Sequence, residues 1–333
     1  MGYTKAMREV IGVLRGGPSS EYDVSLKSGA SVLAALAHDT YKQKYDVKDI
    51  FIDKTGVWHQ AGFPTAPEKA LQGIDIVFNA LHGEFGEDGA VQRLLQTLAV
   101  PHTGSGAHAS ATTFNKHLTN TQAKTFGVKI PHSVVVNADD NLDKRAIEIF
   151  RSFPHPAIVK PAHGGSSVGT TIADSFHALR TGLDKAAAVS PIILVQEFIK
   201  GREATVGVVN HFRNEPVYAL MPVEIVPAAH RPFFDYEAKY SGETLERVPG
   251  HFSDAEKAEL GRLARLVHQQ FGLDHYSRSD FIVSPRGIYF LEVNTLPGLT
   301  QESLLPKALA AGGTNLGDFI DHVLGLARNT TRR

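Results

Sequence analysis

The 333-residue chain contains no cysteine. Disulfides, thiolate metal sites and a cysteine nucleophile are thereby excluded. Net charge is nearly absent as well: 34 Lys and Arg against 35 Asp and Glu leave −1. That balance argues against a surface built for nucleic acid or an anionic membrane, while leaving room for a local basic cleft. No apolar run approaches the roughly 20 residues of a membrane span. Residues 10–14 are far too short a run for a signal peptide, and Ala6 breaks the myristoylation pattern after Gly2. A cytoplasmic protein with no membrane or nucleic-acid partner is expected. The 16 histidines form no HExxH pair, and no GxxxxGK[ST] phosphate loop occurs.

What is present is ordinary globular material, 42% hydrophobic and 21% charged, long enough for two or three domains. The first third alternates strand and helix. A strand at 9–14 ends in the breaker Arg15-Gly16-Gly17-Pro18. A helix at 25–37 carries Leu26, Ala30, Leu33 and Ala37 at helical spacing. Strands follow at 46–52 and 74–80, then a helix at 89–98. This rhythm implies an α/β unit with a parallel sheet, whose ligands lie at the carboxyl ends of the strands. Loops 15–21 and 81–89 are therefore candidate site loops.

A second block begins near Thr112, with a helix at 113–126, a strand at 133–136, a helix at 140–153, and strands at 157–160, 170–173 and 192–196. A third begins near Gly201, with strands at 204–209 and 217–225. Residues 228–250 have no clear period, and so long a segment inside a compact domain is either a functional lid or disordered. Ser253 and Glu256 form a capping box before a helix that stops at Gly272. Helices at 303–311 and 316–327 close the chain.

The hairpin at 278–294 carries the most chemistry. Side chains alternate along a strand, so Arg278 shares a face with Asp280, and Glu292 with Asn294. A three-residue loop, Pro285-Arg286-Gly287, pairs Ser284 with Ile288 and brings Asp280 opposite Glu292. Opposed carboxylates repel. A divalent cation between them removes the repulsion, and Asp, Glu and an amide oxygen are hard ligands that suit Mg²⁺. A second piece, residues 158–169, places Lys160 at a strand end before a Gly/Ser loop that can lay N–H groups and hydroxyls over phosphates. Lys116, on a helix, can reach the same phosphates. Gly104-Ser-Gly-Ala-His-Ala109 matches a dinucleotide fingerprint only weakly, with no convincing strand before it and no acid about 20 residues on, so a dehydrogenase is rejected. Lys239 and Tyr240 stand side by side on the lid segment, placed to close over a substrate and exclude water.

Taken in order, the segments resemble the D-alanine–D-alanine ligases of the ATP-grasp superfamily. The resemblance runs through Arg15-Gly-Gly-Pro-Ser-Ser-Glu21, Ala80-Leu-His-Gly83, Gly86-Glu-Asp-Gly89, Thr103-Gly-Ser-Gly106, Lys160-Pro161, Gly165-Ser-Ser-Val-Gly169, Gly201-Arg-Glu203, Asp235-Tyr-Glu-Ala-Lys-Tyr240, Arg278 with Asp280, and Glu292-Val-Asn-Thr-Leu-Pro-Gly298. It implies three domains: 1–111 on the substrate side, 112–200 with the phosphate loop, and 201–333 with the lid at 228–250 and the metal site. It implies ATP-dependent joining of two D-alanines through an acyl phosphate, for the cell-wall precursor D-alanyl-D-alanine. Two Mg²⁺ ions, with Mn²⁺ as a substitute, would sit on Asp280, Glu292 and Asn294. Lys116, Lys160, Ser167 and Lys239 would meet ATP, the backbone of Glu197, Phe198 and Ile199 the adenine, and Glu203 the ribose. Glu21 and His82 would bind the first D-alanine; Lys239, Ser303 and Leu304 the second. Glu21, Ser166 and Tyr240 would order the lid, and Arg278 with the Gly298 N–H would form the oxyanion hole. A homodimer through the N-terminal domain is also implied. Three positions depart from the family pattern: Gln196 where an acid is frequent, Phe234 for a commoner Tyr, and His163-Gly164 for a more polar pair, which bears on loop closure. Alternatives are a ligase making D-alanyl-D-lactate or D-alanyl-D-serine, and a non-catalytic ATP-binding relative.

Overall fold

The computed structural model describes residues 8–165, 168–227 and 245–330. Its first sheet is built from β1 (Glu9–Gly16), β2 (Tyr45–Ile52), β3 (Trp58–Gln60), β4 (Phe63–Pro64) and β5 (Ile76–Asn79), in the order β4-β3-β2-β1-β5. β2, β1 and β5 are parallel, as the βαβ rhythm requires, while β3 and β4 extend the sheet antiparallel beyond β2. The short strands β3 and β4 escape a reading by periodicity because they are too brief to show one. The helix Tyr22–Leu36 packs on one face.

The second sheet holds β6 (Ser133–Asn137), β7 (Ala157–Pro161), β8 (Thr171–Ala173) and β9 (Ile192–Glu197), all antiparallel in the order β6-β9-β7-β8. Val136, Val159, Ile193 and Val195 bury against the helices Leu142–Ser152 and Phe176–Ala187. Lys160 and Gln196 alternate with those core residues and so face the opposite side. The expected single helix at 113–126 is two: Ala107–Phe114 and Lys116–Thr125. Asn115 between them is extended, and its side chain caps the second helix. The first of these helices runs across residues 111 and 112.

The third sheet holds β10 (Arg202–Phe212), β11 (Glu215–Ala219), β12 (Val223–Val226), β13 (Leu245–Arg247), β14 (Tyr276–Ser284) and β15 (Gly287–Asn294). Its order is β13-β12-β10-β14-β15, with β11 also beside β10. The strand expected at 217–225 is split into β11 and β12, because Pro222 between them has no N–H to give to a ladder. The expected lid at 228–250 also ends too late: β13 pairs with β12, and Gly250 N–H donates to Pro222 O. Residues 228–244 lie outside the described part. The helix Asp254–Gln270 starts at the capping box of Ser253 and Glu256 and covers this sheet with Leu260, Leu263 and Val267.

The last helix, Leu316–Thr330, does not close the third sheet alone. Phe319, Ile320, Val323 and Leu324 share one core cluster with Ile11, Val13, Ile76 and Phe78 of the first sheet and with Ile225 and Tyr276 of the third. The two ends of the chain are thereby packed into one hydrophobic mass. Lys44 and Tyr45 reinforce it through Asp321, and Arg328 through Glu9.

Candidate active site

The site begins at the β14–β15 hairpin, whose register differs from the sequence reading. Ser284 pairs with Gly287, so the turn is the two residues Pro285 and Arg286. Pairing then runs Phe281 to Phe290, shifts, and resumes with Asp280 opposite Glu292. Leu291 is the extra residue of a β-bulge. The bulge decides which way the acids face. Phe281, Val283, Phe290 and Val293 all lie in the core beneath the sheet. Without the extra residue Glu292 and Asn294 would share the core face of Phe290. With it they join Arg278 and Asp280 on the other face.

Asp280 is the best-held side chain there. The Arg278 fork donates to it at 3.0 and 2.8 Å, and Asn294 Nδ2 at 3.3 Å. Thr205, opposite it on β10, donates its hydroxyl to Oδ1 at 2.5 Å. Burial works against the Arg278 charge, but Asp280, Glu292 and Glu87 outweigh it and hold the guanidinium above its ordinary range. Lys116 Nζ lies 3.4 Å from Glu292 and also donates to Gly164 O. Burial pushes the Lys160 ammonium down to about 8, with Glu292 opposing and Lys116 adding to the drop. Both lysines therefore feel the same carboxylate. Glu203, two residues before Thr205, lies on the same sheet face.

Among the described residues no cluster of three or more His, Cys, Asp or Glu is poised for a metal. The set here is two carboxylates and an amide, all hard donors. Asp280 and Glu292 are directly opposed, and Arg278 and Lys116 compensate them. That donor chemistry fits Mg²⁺, which shares its shell with water and phosphate oxygens rather than filling it from protein.

The N-terminal loops reach the same place. Glu87, Lys116, Gly165, Glu292, Asn294 and Thr295 line one cleft. The Glu21 carboxylate lies against Gly165, where a Cβ would collide with it, and against Gly83. His82 is buried, with Nε2 2.9 Å from Ser28 Oγ. Ser28 Oγ also accepts from Leu299 N–H at 3.2 Å. A serine in the helix Tyr22–Leu36 thus ties the loop after β5 to the loop after β15. Gly298 faces Ser303, whose hydroxyl is 2.8 Å from Thr300 Oγ1 and caps no helical N–H. Leu304 is buried in the core, so a substrate contact from it would come through its main chain.

Other expected residues are placed less centrally. The Glu197 carboxylate is taken by Arg286 at 2.7 Å, while Phe198 is half-buried and Ile199 buried after the end of β9. Gln196 Nε2 is buried with no partner among the described residues. Ser166, Ser167, Phe234, Lys239 and Tyr240 lie outside the described residues. Three residues at the site went unassigned in the sequence. Glu87 sits inside the Gly86-Glu-Asp-Gly89 motif and accepts from Gly83 N–H at 3.0 Å. Thr205 carries no local signal, since only cross-strand pairing brings it in; Asn115 carries one, a residue type that caps helices standing directly before Lys116, which the apolar spacing through 113–126 masks.

Two antiparallel sheets, one bearing a glycine-rich turn after a lysine and the other a carboxylate face, with a cleft between them, are the architecture of an ATP-grasp enzyme. The comparisons with known proteins narrow this class. The family described as D-ala D-ala ligase C-terminus matches residues 123–325, and D-ala D-ala ligase N-terminus matches 10–70 and 60–105. A D-alanine–D-alanine ligase of Citrifermentans bemidjiense is 37% identical over 96% of each chain. That of Trichlorobacter lovleyi is 38% identical over 91% of this chain and 89% of its own. A D-Ala:D-Ser ligase structure from Enterococcus faecalis superposes with a TM-score of 0.80 at 26% identity, covering 96% of this chain and all of its own. D-alanyl-alanine synthetase A from Vibrio cholerae shares the fold with a TM-score of 0.85 at 24% identity, over 97% of this chain and 99% of its own. The chain belongs to the D-alanine–D-alanine ligase family.

Proposed function

We propose that the protein joins two molecules of D-alanine to D-alanyl-D-alanine at the expense of ATP, supplying a cell-wall precursor. The observation that carries the reading is convergence. Lysines from two elements, an acid face from a third and Glu21 from the N-terminal unit all meet at one glycine-rich turn. Residues 1–111, 112–200 and 201–333 are assigned to the substrate-side, phosphate-loop and metal-bearing domains.

A carboxylate is a poor acceptor for an amine. The γ-phosphoryl group of ATP therefore passes first to the carboxylate of one D-alanine, giving an acyl phosphate and ADP. Lys116 and Lys160 hold the phosphates while negative charge moves between them, so catalysis is mostly positioning and electrostatics. Ser167 and Lys239 join them; the main chain of Glu197, Phe198 and Ile199 seats the adenine, and Glu203 the ribose. Asp280, Glu292 and Asn294 would hold Mg²⁺, two ions with Mn²⁺ as a substitute, which when bound neutralises phosphate charge. Glu21 and His82 orient the first D-alanine. Ser303, the Leu304 main chain and Lys239 orient the second. Its amine attacks the acyl carbon, and Arg278 with the Gly298 N–H stabilises the resulting oxyanion before phosphate leaves. Glu21, Ser166 and Tyr240 order the lid, which protects the acyl phosphate from water.

The family relationship also supports a cytoplasmic enzyme and a homodimer, which light scattering of the purified chain checks. The assay for the function is ATP-dependent phosphate release, run with D-alanine alone, D-alanine with D-lactate, D-alanine with D-serine, and L-alanine. Release with D-alanine alone, and D-alanyl-D-alanine by mass spectrometry, is expected. Silence with D-alanine alone overturns the proposal, and faster release in the D-serine or D-lactate arm reassigns the second substrate.

A further inference from the structure

His163, one of the departures from the family pattern, sits at the base of the glycine-rich turn. Its surroundings leave it one hydrogen-bonding state. Asn115 Oδ1 is committed to capping the helix Lys116–Thr125, accepting from the N–H groups of His117 and Leu118 at 3.0 Å each. The Asn115 amide nitrogen is thereby turned to His163 Nε2, at 3.1 Å. An amide NH₂ only donates, so Nε2 must offer its lone pair. The ring proton then belongs on Nδ1, which lies 3.4 Å from Ser190 Oγ. Ser190 gives its own hydroxyl proton to Ile192 O at 2.8 Å, which leaves its oxygen to accept. A doubly protonated imidazole would set N–H against NH₂ at Asn115.

The contact joins two parts of the site. Asn115 starts the helix that carries Lys116, and Lys116 donates to Gly164 O, the next residue after His163. We propose that neutral His163 is a positioning residue: it latches the base of the phosphate turn to the cap of the Lys116 helix, and its protonation releases the latch and weakens ATP binding.

The charged groups facing the imidazole are Lys116, from the helix, and Glu84, from the loop after β5. Asn115, Phe114 and Ser190 are neutral. Burial, then Lys116, hold the His163 pKa below its ordinary value, with Glu84 pulling the other way. The latch is therefore closed at neutral pH and lost as pH falls through that lowered value.

This inference rests on the turn covering the phosphates of ATP. The test compares wild type, His163→Gln and His163→Phe, reading KM for ATP, kcat and the affinity for a fluorescent ATP analogue between about pH 5.5 and 8.5. Glutamine keeps an acceptor for Asn115 but does not titrate; phenylalanine keeps the ring and leaves the amide unpaired. At about pH 8, His163→Phe is expected to raise KM for ATP and the analogue Kd about tenfold, with kcat changing less, while His163→Gln stays within about threefold of wild type. On acidification wild type climbs toward His163→Phe, and His163→Gln does not. A phenylalanine variant that binds like wild type, or a glutamine variant with the same acid rise, overturns the inference. Wild type that binds the analogue but releases no phosphate with D-alanine would instead count against the proposed function, leaving the binding comparison to decide the latch.

Discussion

Lys160 gives a reading of the nucleotide site that needs no turnover. Its ammonium is desolvated at the end of β7 and sits at about 8 rather than near the ordinary lysine value. A phosphate arriving beside it supplies the missing counter-charge and restores the proton. ATP binding must then take up protons from the medium, by an amount set by how much Lys160 is neutral beforehand. With a pKa of about 8, that fraction is about 0.1 at pH 7, about 0.5 at pH 8 and about 0.9 at pH 9. The sign follows: the free enzyme has lost a proton that the complex keeps, so affinity falls as pH rises above 8. Calorimetric titration with a non-hydrolysable ATP analogue, in buffers of differing ionisation enthalpy, measures the uptake directly. Lys160→Arg is the control, because arginine stays charged throughout and its uptake should vanish. Lys116→Met should move the wild-type transition to higher pH, since Lys116 contributes to the lowering. No uptake at pH 9, or equal uptake in Lys160→Arg, would refute the placement of Lys160 on the phosphates.

Two further outcomes follow from close contacts. Thr205→Val keeps shape but deletes the hydroxyl bonded to the buried Asp280 carboxylate. It should lower unfolding stability by about 1.5–3 kcal/mol in urea titration and raise the Mg²⁺ concentration needed for half-maximal activity. Gly165→Ala places a methyl against the Glu21 carboxylate. It should cut kcat/KM for D-alanine by about tenfold or more, with a melting temperature close to wild type, because the obstruction lies between two loops at the cleft rather than in a core.

Much of the site could be read without coordinates, because its chemistry is local in the chain. A strand places Arg278 and Asp280 two residues apart on one face, and Glu292 and Asn294 likewise. A lysine before a glycine-rich turn is equally local. The capping box at Ser253 and the βαβ rhythm of the first third are also written in short windows. What could not be read was anything depending on an irregularity or on distant packing. The turn of the hairpin is shorter than expected, and a bulge at Leu291 restores the acid pair that the simpler register had assumed. The pairing survived for a reason no period-two pattern contains. Asn115 broke one expected helix into two, because a side chain that caps stops a helix that periodicity alone would continue.

Residue types and spacing in the sequence alone therefore determined the kind of chemistry: hard acids, phosphate-binding lysines and glycine-rich cover, with no thiol. Tertiary structure alone decided where these groups stand relative to one another. It set Thr205 against Asp280, Glu21 against Gly165 and Ser28 between His82 and Leu299. It also laid the last helix on the first sheet, so that Phe319 and Ile11 share a core. Local propensity acts over a few residues, whereas these contacts join segments far apart in the chain, and burial of apolar surface selects them only once the whole chain has collapsed.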